Sequence, residues 1–77
     1  MADFERSTGE TVRVEASPFK GKVYVNVRLW VPNANDPKAL LPTKKGITLA
    51  PMLARQVAQA MLRVCDEVES QEGNGDE

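Results

Sequence analysis

The chain is one small domain of 77 residues with a single cysteine, Cys65, so no intrachain disulfide staples it. It has no histidine, which removes the commonest general base, pH switch and metal ligand together. Its net charge of −1 conceals a division: ten bases against five acids give residues 1–65 a net +5, while residues 66–77 carry six acids and no base. That division suits a polyanion-binding body with an acidic appendage, although an acidic tail that only confers solubility has the same composition.

Residues 1–10 are polar and aperiodic and read as a flexible arm. Residues 11–16 alternate, with Val12, Val14 and Ala16 on the inner face of a short strand. Ser17-Pro18 breaks it, and Phe19-Lys20-Gly21 turns the chain, the glycine supplying backbone freedom for a tight connection.

Residues 22–31 hold the strongest pattern. Val23, Val25, Val27, Leu29 and Val31 share one face of a strand, and Lys22, Tyr24, Asn26, Arg28 and Trp30 share the other. The first is an ordinary buried face. The second lines up two cations, an amide and two rings along roughly 30 Å of strand. Cations that meet phosphates and rings that stack on unpaired bases are what a single-stranded nucleic acid requires. The structural alternative packs Tyr24 and Trp30 under a loop or the helix and leaves Lys22 and Arg28 solvated.

Residues 32–37 are a cluster of turn formers and read as a loop. Residues 38–41 follow as a short strand ended by Pro42. Thr43-Lys44-Lys45-Gly46 is then a basic turn, and residues 47–49 a brief last strand.

From Pro51 to about residue 70 the period becomes helical. Proline suits a first helical position, whereas Ala50 before it is a poor N-cap. One apolar stripe runs through Leu53, Val57, Met61, Val64 and Val68, a second through Ala54, Ala58, Leu62 and Cys65. Together they exceed the roughly 100° that packing on a sheet requires. The same helix of a second subunit is the simplest cover, with Ala54 and Ala58 allowing close approach and Met61, Leu62 and Cys65 completing the expected dimer interface. Acids at the helix C-terminus oppose the macrodipole, so fraying near Glu67 and a disordered tail over residues 71–77 are expected. The expected organisation is an arm over 1–10, a domain over 11–70 and an acidic tail over 71–77.

Catalytic chemistry finds no support. Cys65 lacks a histidine partner and lies in an apolar stripe. The carboxylates cluster in the tail, where no rigid shell positions them. Lys44-Lys45-Gly46 lacks the upstream glycine and following helix of a phosphate loop. No enzyme activity, cofactor or metal is expected. No leader follows Met1 and no apolar run reaches membrane-span length, so a reducing cytoplasm is the expected setting.

Phe19-Lys20-Gly21-Lys22, the alternating strand to Arg28-Leu29-Trp30, and Lys45-Gly46-Ile47-Thr48-Leu49 before a single helix together resemble the positive cofactor 4 family. Its members are transcriptional coactivators of eukaryotes with relatives in bacteria and phages. The resemblance spans about residues 12–65, and Arg28-Leu29-Trp30-Val31-Pro32 looks more like the bacterial or phage branch. It implies an α+β fold: a curved four-stranded antiparallel sheet and one C-terminal helix, dimerised through the helices. It also implies sequence-independent binding of single-stranded DNA. Phe19 and Trp30 would stack on bases, and Lys20, Lys22, Arg28, Lys44 and Lys45 would contact phosphates or bases. Tyr24 and Asn26 join the site through the facial pattern alone. Three departures stand out: Ala50 replaces a capping residue, residues 33–42 form a long loop poor in lysine, and no serine- and lysine-rich regulatory arm precedes the domain.

The expected function is a non-enzymatic, homodimeric single-stranded-DNA-binding protein in replication, recombination, repair or transcription. It would work in a nucleoid or a phage-infected bacterial cytoplasm, its acidic tail competing for the basic groove or recruiting a replication or transcription partner. The rivals are an RNA-binding regulator using the same face and a protein-interaction module of the same machinery.

Overall fold

The computed structural model describes residues 1–72. Four strands, β1 (Ala2–Glu5), β2 (Thr11–Phe19), β3 (Lys22–Asn33) and β4 (Asp36–Leu49), precede one helix, α1 (Pro51–Glu72). The strands form one antiparallel sheet in the order β1-β2-β3-β4. The α+β class and the single C-terminal helix are as the sequence implies; the element boundaries differ at four places.

The first ten residues are not a free arm. Ala2 pairs with Val14 and Glu5 with Thr11, making β1 an edge strand. A tight turn joins β1 to β2: the Arg6 N–H donates to the Glu10 carbonyl (2.8 Å), the Gly9 N–H to the Arg6 carbonyl (3.0 Å), and the Arg6 and Glu10 side chains pair at 3.1 Å. Four residues are too few to show a period, so only the partner strand reveals this one: Phe4 falls opposite Val12 and Asp3 opposite Arg13.

Pro18 does not end β2. β1 covers β2 only as far as Val14, so Pro18 lies where β2 is itself an edge. Phe19 and Lys22 flank a two-residue turn and form the hydrogen-bonded pair; the next pair, Pro18 with Val23, is the non-bonded kind. The missing proline N–H therefore faces outward, where it costs little.

The expected long loop is a two-residue connection, Ala34-Asn35. The Asn33 side chain accepts the Asn35 N–H at 2.9 Å, the local bond that favours asparagine in turns. The segments on either side of Pro42 are one 14-residue strand, not two strands joined by a basic turn. Prolines 37 and 42 are tolerated because β4 is an edge. The turn-like sequence around Lys44 is a bulge. Trp30 pairs with Pro42 and Arg28 with Gly46, so Leu29 faces Thr43, Lys44 and Lys45. The Thr43 hydroxyl stitches it, donating to the Leu29 carbonyl (2.8 Å) and accepting the Lys45 N–H (3.1 Å).

Helix α1 starts at Pro51 as expected, and the Ala54 N–H donates to the Ala50 carbonyl at 2.9 Å. It continues through Glu67 to Glu72 with no basic residue in its last turn. The Ser70 hydroxyl donates to the Glu67 carbonyl (3.0 Å), within a helix that runs past the point where fraying is expected. The expected disorder of the tail falls mostly on residues 73–77, outside the described residues.

The helix packs lightly on β3. Only Ala54 and Ala60 of its described side chains are even partly covered. Val12, Val14, Val25, Val27, Leu29 and Val31 are half-buried, and among the described residues Thr11 alone is fully buried. A single chain thus presents an apolar sheet face and an apolar helix without closing a core between them.

Candidate nucleic-acid interface

Strand alternation and register assemble the polar face of the sheet. On β3, Lys22, Tyr24, Asn26, Arg28 and Trp30 follow one another. Phe19, Ser17, Glu15, Arg13 and Thr11 stand opposite them on β2, in that order. Thr48 and Gly46 oppose Asn26 and Arg28 on β4, and Asp3 and Glu5 extend the face beyond β2. The face is mixed in sign: Arg13, Lys22 and Arg28 share it with Asp3, Glu5 and Glu15.

The β2–β3 hairpin carries the first group of expected site residues. Lys20 and Gly21 both take positive φ, 49° and 79°. This is the paired left-handed geometry whose twist matches two-residue hairpins, and Lys20 bears the modest strain of a non-glycine residue there. The turn sets Lys20 Nζ 5.3 Å from the centroid of the Phe19 ring. Phe19 is 60% exposed, so its ring stands free for another partner. Ser17, Phe19, Tyr24, Thr48 and Ala50 line an open hollow of about 370 Å³ beside it. Ring, hydroxyls and cation therefore meet at one end of the sheet.

Arg28 marks the second group. Its Nη1 donates to the Thr43 carbonyl at 2.8 Å, tying the guanidinium to the base of the bulge. Nη2 lies 3.5 Å from Asn26 Oδ1, at the limit of a hydrogen bond, and the Thr48 hydroxyl approaches the same oxygen at 3.4 Å. Gly46 makes this placement possible. A Cβ there would lie 2.8 Å from the Val27 carbonyl and 2.9 Å from Arg28 Cβ and Cγ, so the arginine stem occupies the space a side chain would need. Lys44 and Lys45 are exposed on the bulge, at the β4 edge between the levels of Arg28 and Trp30.

Trp30 is the residue whose setting differs most from the expectation of an open stacking ring. It is partly buried, and its Nε1 is enclosed without a hydrogen-bond partner among the described residues. Arg13 lies over the ring, its Cζ 4.2 Å from the centroid, a cation–π distance. Asp3 holds Arg13 by two parallel bonds, Nε to Oδ1 at 2.8 Å and Nη2 to Oδ2 at 3.0 Å. These bonds, helped by the guanidinium charge and opposed by desolvation, keep the Asp3 carboxyl below its ordinary pKa. They likewise raise that of Arg13.

All nine expected site residues thus fall on the polar face, its hairpin tip or the bulge at its edge. The five expected interface residues, Ala54, Ala58, Met61, Leu62 and Cys65, lie on α1, and all but Ala54 are exposed. Sequence reasoning missed Arg13 and Asp3. The alternation that turns Val12 and Val14 inward already placed Arg13 on the polar face; the partnership with Asp3 needed β1.

The family model for Transcriptional Coactivator p15 (PC4) matches residues 6–60. Among solved structures, a PC4 homologue from Burkholderia pseudomallei K96243 is similar in two crystal forms. The orthorhombic form is 33% identical over 95% of this chain and 89% of that chain, with a TM-score of 0.74. The tetragonal form is 33% identical over 83% and 91%, with a TM-score of 0.73. A bacteriophage T5 homologue of the eukaryotic coactivator, implicated in recombination-dependent DNA replication, is 28% identical over 88% of this chain and 80% of that one, with a TM-score of 0.65. No curated protein matches the chain. On its fold, its motif blocks and these matches, the chain belongs to the PC4 family, among its bacterial and phage members.

Proposed function

We propose that this protein is a non-enzymatic homodimer that binds single-stranded DNA without regard to sequence, on the polar face of its sheet. One observation carries the reading: an antiparallel ladder sets an exposed ring, an open hollow beside it and a series of cations along a single surface. Phe19 offers a stacking platform, and each such ring contributes about 1–3 kcal/mol with little regard to base identity. Lys20, Lys22, Arg28, Lys44 and Lys45 take the phosphates, each releasing counterions from the strand. Tyr24 and Asn26 line the path between them. Trp30 contributes through the Arg13 guanidinium that covers it.

A duplex keeps its bases stacked and its edges in grooves, and the sheet carries no helix to enter one. A single strand lays unpaired bases on rings at no unpairing cost. The homodimer follows from unfinished packing: Met61 is 62% exposed, Leu62 67% and Val64 54%, more apolar helix than a lone small domain sustains. A second α1 laid along Ala54 and Ala58 would cover it and bring two binding faces together. The homologue implicated in recombination-dependent replication supports a role around replication and recombination. The six acidic side chains of residues 66–77 would then engage a partner of that machinery.

The test is competition for a labelled oligothymidylate by matched single-stranded DNA, RNA and duplex across a salt series. Sedimentation of the same sample checks the dimer. DNA single strands should compete best, with affinity falling steeply as salt rises. Equal competition by duplex, or affinity independent of salt, contradicts the proposal; stronger competition by RNA transfers the site to the RNA-binding rival.

A further inference from the structure

Arg13 and Arg28 are cross-strand partners on the polar face. Like charges directly opposite each other are unfavourable, so each must find its own counterpart. They diverge. Arg28 leans to β4 and the Thr43 carbonyl, a neutral partner that leaves its charge uncompensated. Arg13 leans to β1, lies over Trp30 at 4.2 Å, and is neutralised by Asp3 through the two-bond fork. The face thus contains one arginine whose charge is spent internally, at the ring where a nucleotide is expected.

We propose that Arg13 is a further phosphate-binding residue and that the Asp3 carboxylate occupies the place of a nucleic-acid phosphate until one displaces it. This rests on the single-strand-binding reading above. The chemistry fits the exchange, because a carboxylate and a phosphodiester accept the same two parallel N–H bonds of a guanidinium. So does the architecture. Asp3 sits on a four-residue edge strand and its side chain is 36% exposed, whereas that of Arg13 is 16% exposed and braced on the indole. The acid can therefore leave while the base stays. Once Asp3 turns away, Arg13 keeps its stack on Trp30 and presents the fork to the strand; the guanidinium plane, rather than the covered indole face, meets the nucleotide.

The experiment compares Asp3→Asn, Glu5→Gln, Arg13→Gln and the double variant Asp3→Asn/Arg13→Gln with the unmodified protein, titrated with oligothymidylate over a salt series. Glu5→Gln removes the same charge from the same strand without touching the fork. Asp3→Asn should bind about three- to tenfold tighter at low salt, with a salt slope steeper by up to about 0.7, one phosphate's worth of counterions. Glu5→Gln should gain less than about twofold, and Asp3→Asn should gain nothing once Arg13 is glutamine. In the unmodified protein, the carboxyl carbon resonance of Asp3 should titrate below the ordinary carboxylate range when free and move up when the oligonucleotide is bound. This reading is independent of how any variant folds. Equal gains from Asp3→Asn and Glu5→Gln, or an Asp3 titration that binding leaves unmoved, overturns the exchange while leaving the binding face intact. Absence of salt-dependent binding by the unmodified protein overturns the binding reading itself.

Discussion

The two sides of this small molecule are finished to different degrees. The polar face of the sheet is complete within one chain. Its hairpin is fixed by paired left-handed residues, its bulge is stitched by Thr43, and its arginines are seated on Gly46 and on Trp30. The apolar side is not: the valine face and α1 bring together no fully buried apolar residue among those described. Local backbone geometry and cross-strand pairs suffice to order the proposed binding surface within one chain, whereas the valine face and α1 leave the hydrophobic core of this one copy open. Function on one face and stability on the other should therefore be separable by mutation.

The largest effect should come from the unfinished side. Met61→Asp places a charge where the proposed partner helix lies, at a residue 62% exposed in the single chain. We expect loss of the dimer in sedimentation and a fall in Tm of about 10 °C or more, as a loss of about 2–3 kcal/mol gives in a domain of this size. An unchanged dimer with an unchanged Tm would show that α1 is a free surface and break the comparison.

On the finished side, Phe19→Ala should weaken single-strand binding by the stacking contribution of about 1–3 kcal/mol, roughly five- to 150-fold, with little change in Tm. Parallel loss of stability and affinity would mean that Phe19 packs rather than binds. Gly46→Ala tests the seat of Arg28. The added Cβ meets a backbone carbonyl and the arginine stem, so we expect about 1–3 kcal/mol of destabilisation together with weaker binding. It is the one substitution expected to couple the two sides. Replacing Lys44 and Lys45 together by glutamine should reduce affinity severalfold and lower the salt slope by about 1.4, with Tm unaffected.

The smallest effect concerns pH. The folded Asp3 carboxyl is held below its ordinary value of 3.8, so the stability it lends is present above that value and is lost as pH falls through the lowered one. Acid-unfolding curves of the unmodified protein and Asp3→Asn should differ slightly near neutrality and converge in strong acid. A difference that instead grows as pH falls would contradict the sign.

Much of this was legible from residue order. Alternation over residues 22–31 separates the valines from the cations and rings, and the change of period at Pro51 marks the helix start. The misread segments share a cause: their structure is conferred by a neighbour rather than by their own sequence. β1 is too short to show a period and exists because Thr11–Val14 offers it a ladder. Pro18, Pro37 and Pro42 argue against strands locally, yet each lies where an edge absorbs the missing N–H. Lys44-Lys45-Gly46 resembles a turn because a bulge uses the same residues. The Asp3–Arg13–Trp30 stack joins three strands, and no spacing along the chain announces it.

The most direct test of the central claim is a fluorescence titration of Trp30, the only tryptophan, with single-stranded and duplex DNA of equal length at several salt concentrations. A saturable change in emission is expected with the single strand, weakening steeply as salt rises, with a much weaker response to duplex. A response that salt does not touch, or one that duplex matches, would contradict this and leave the polar face of the sheet without its proposed ligand.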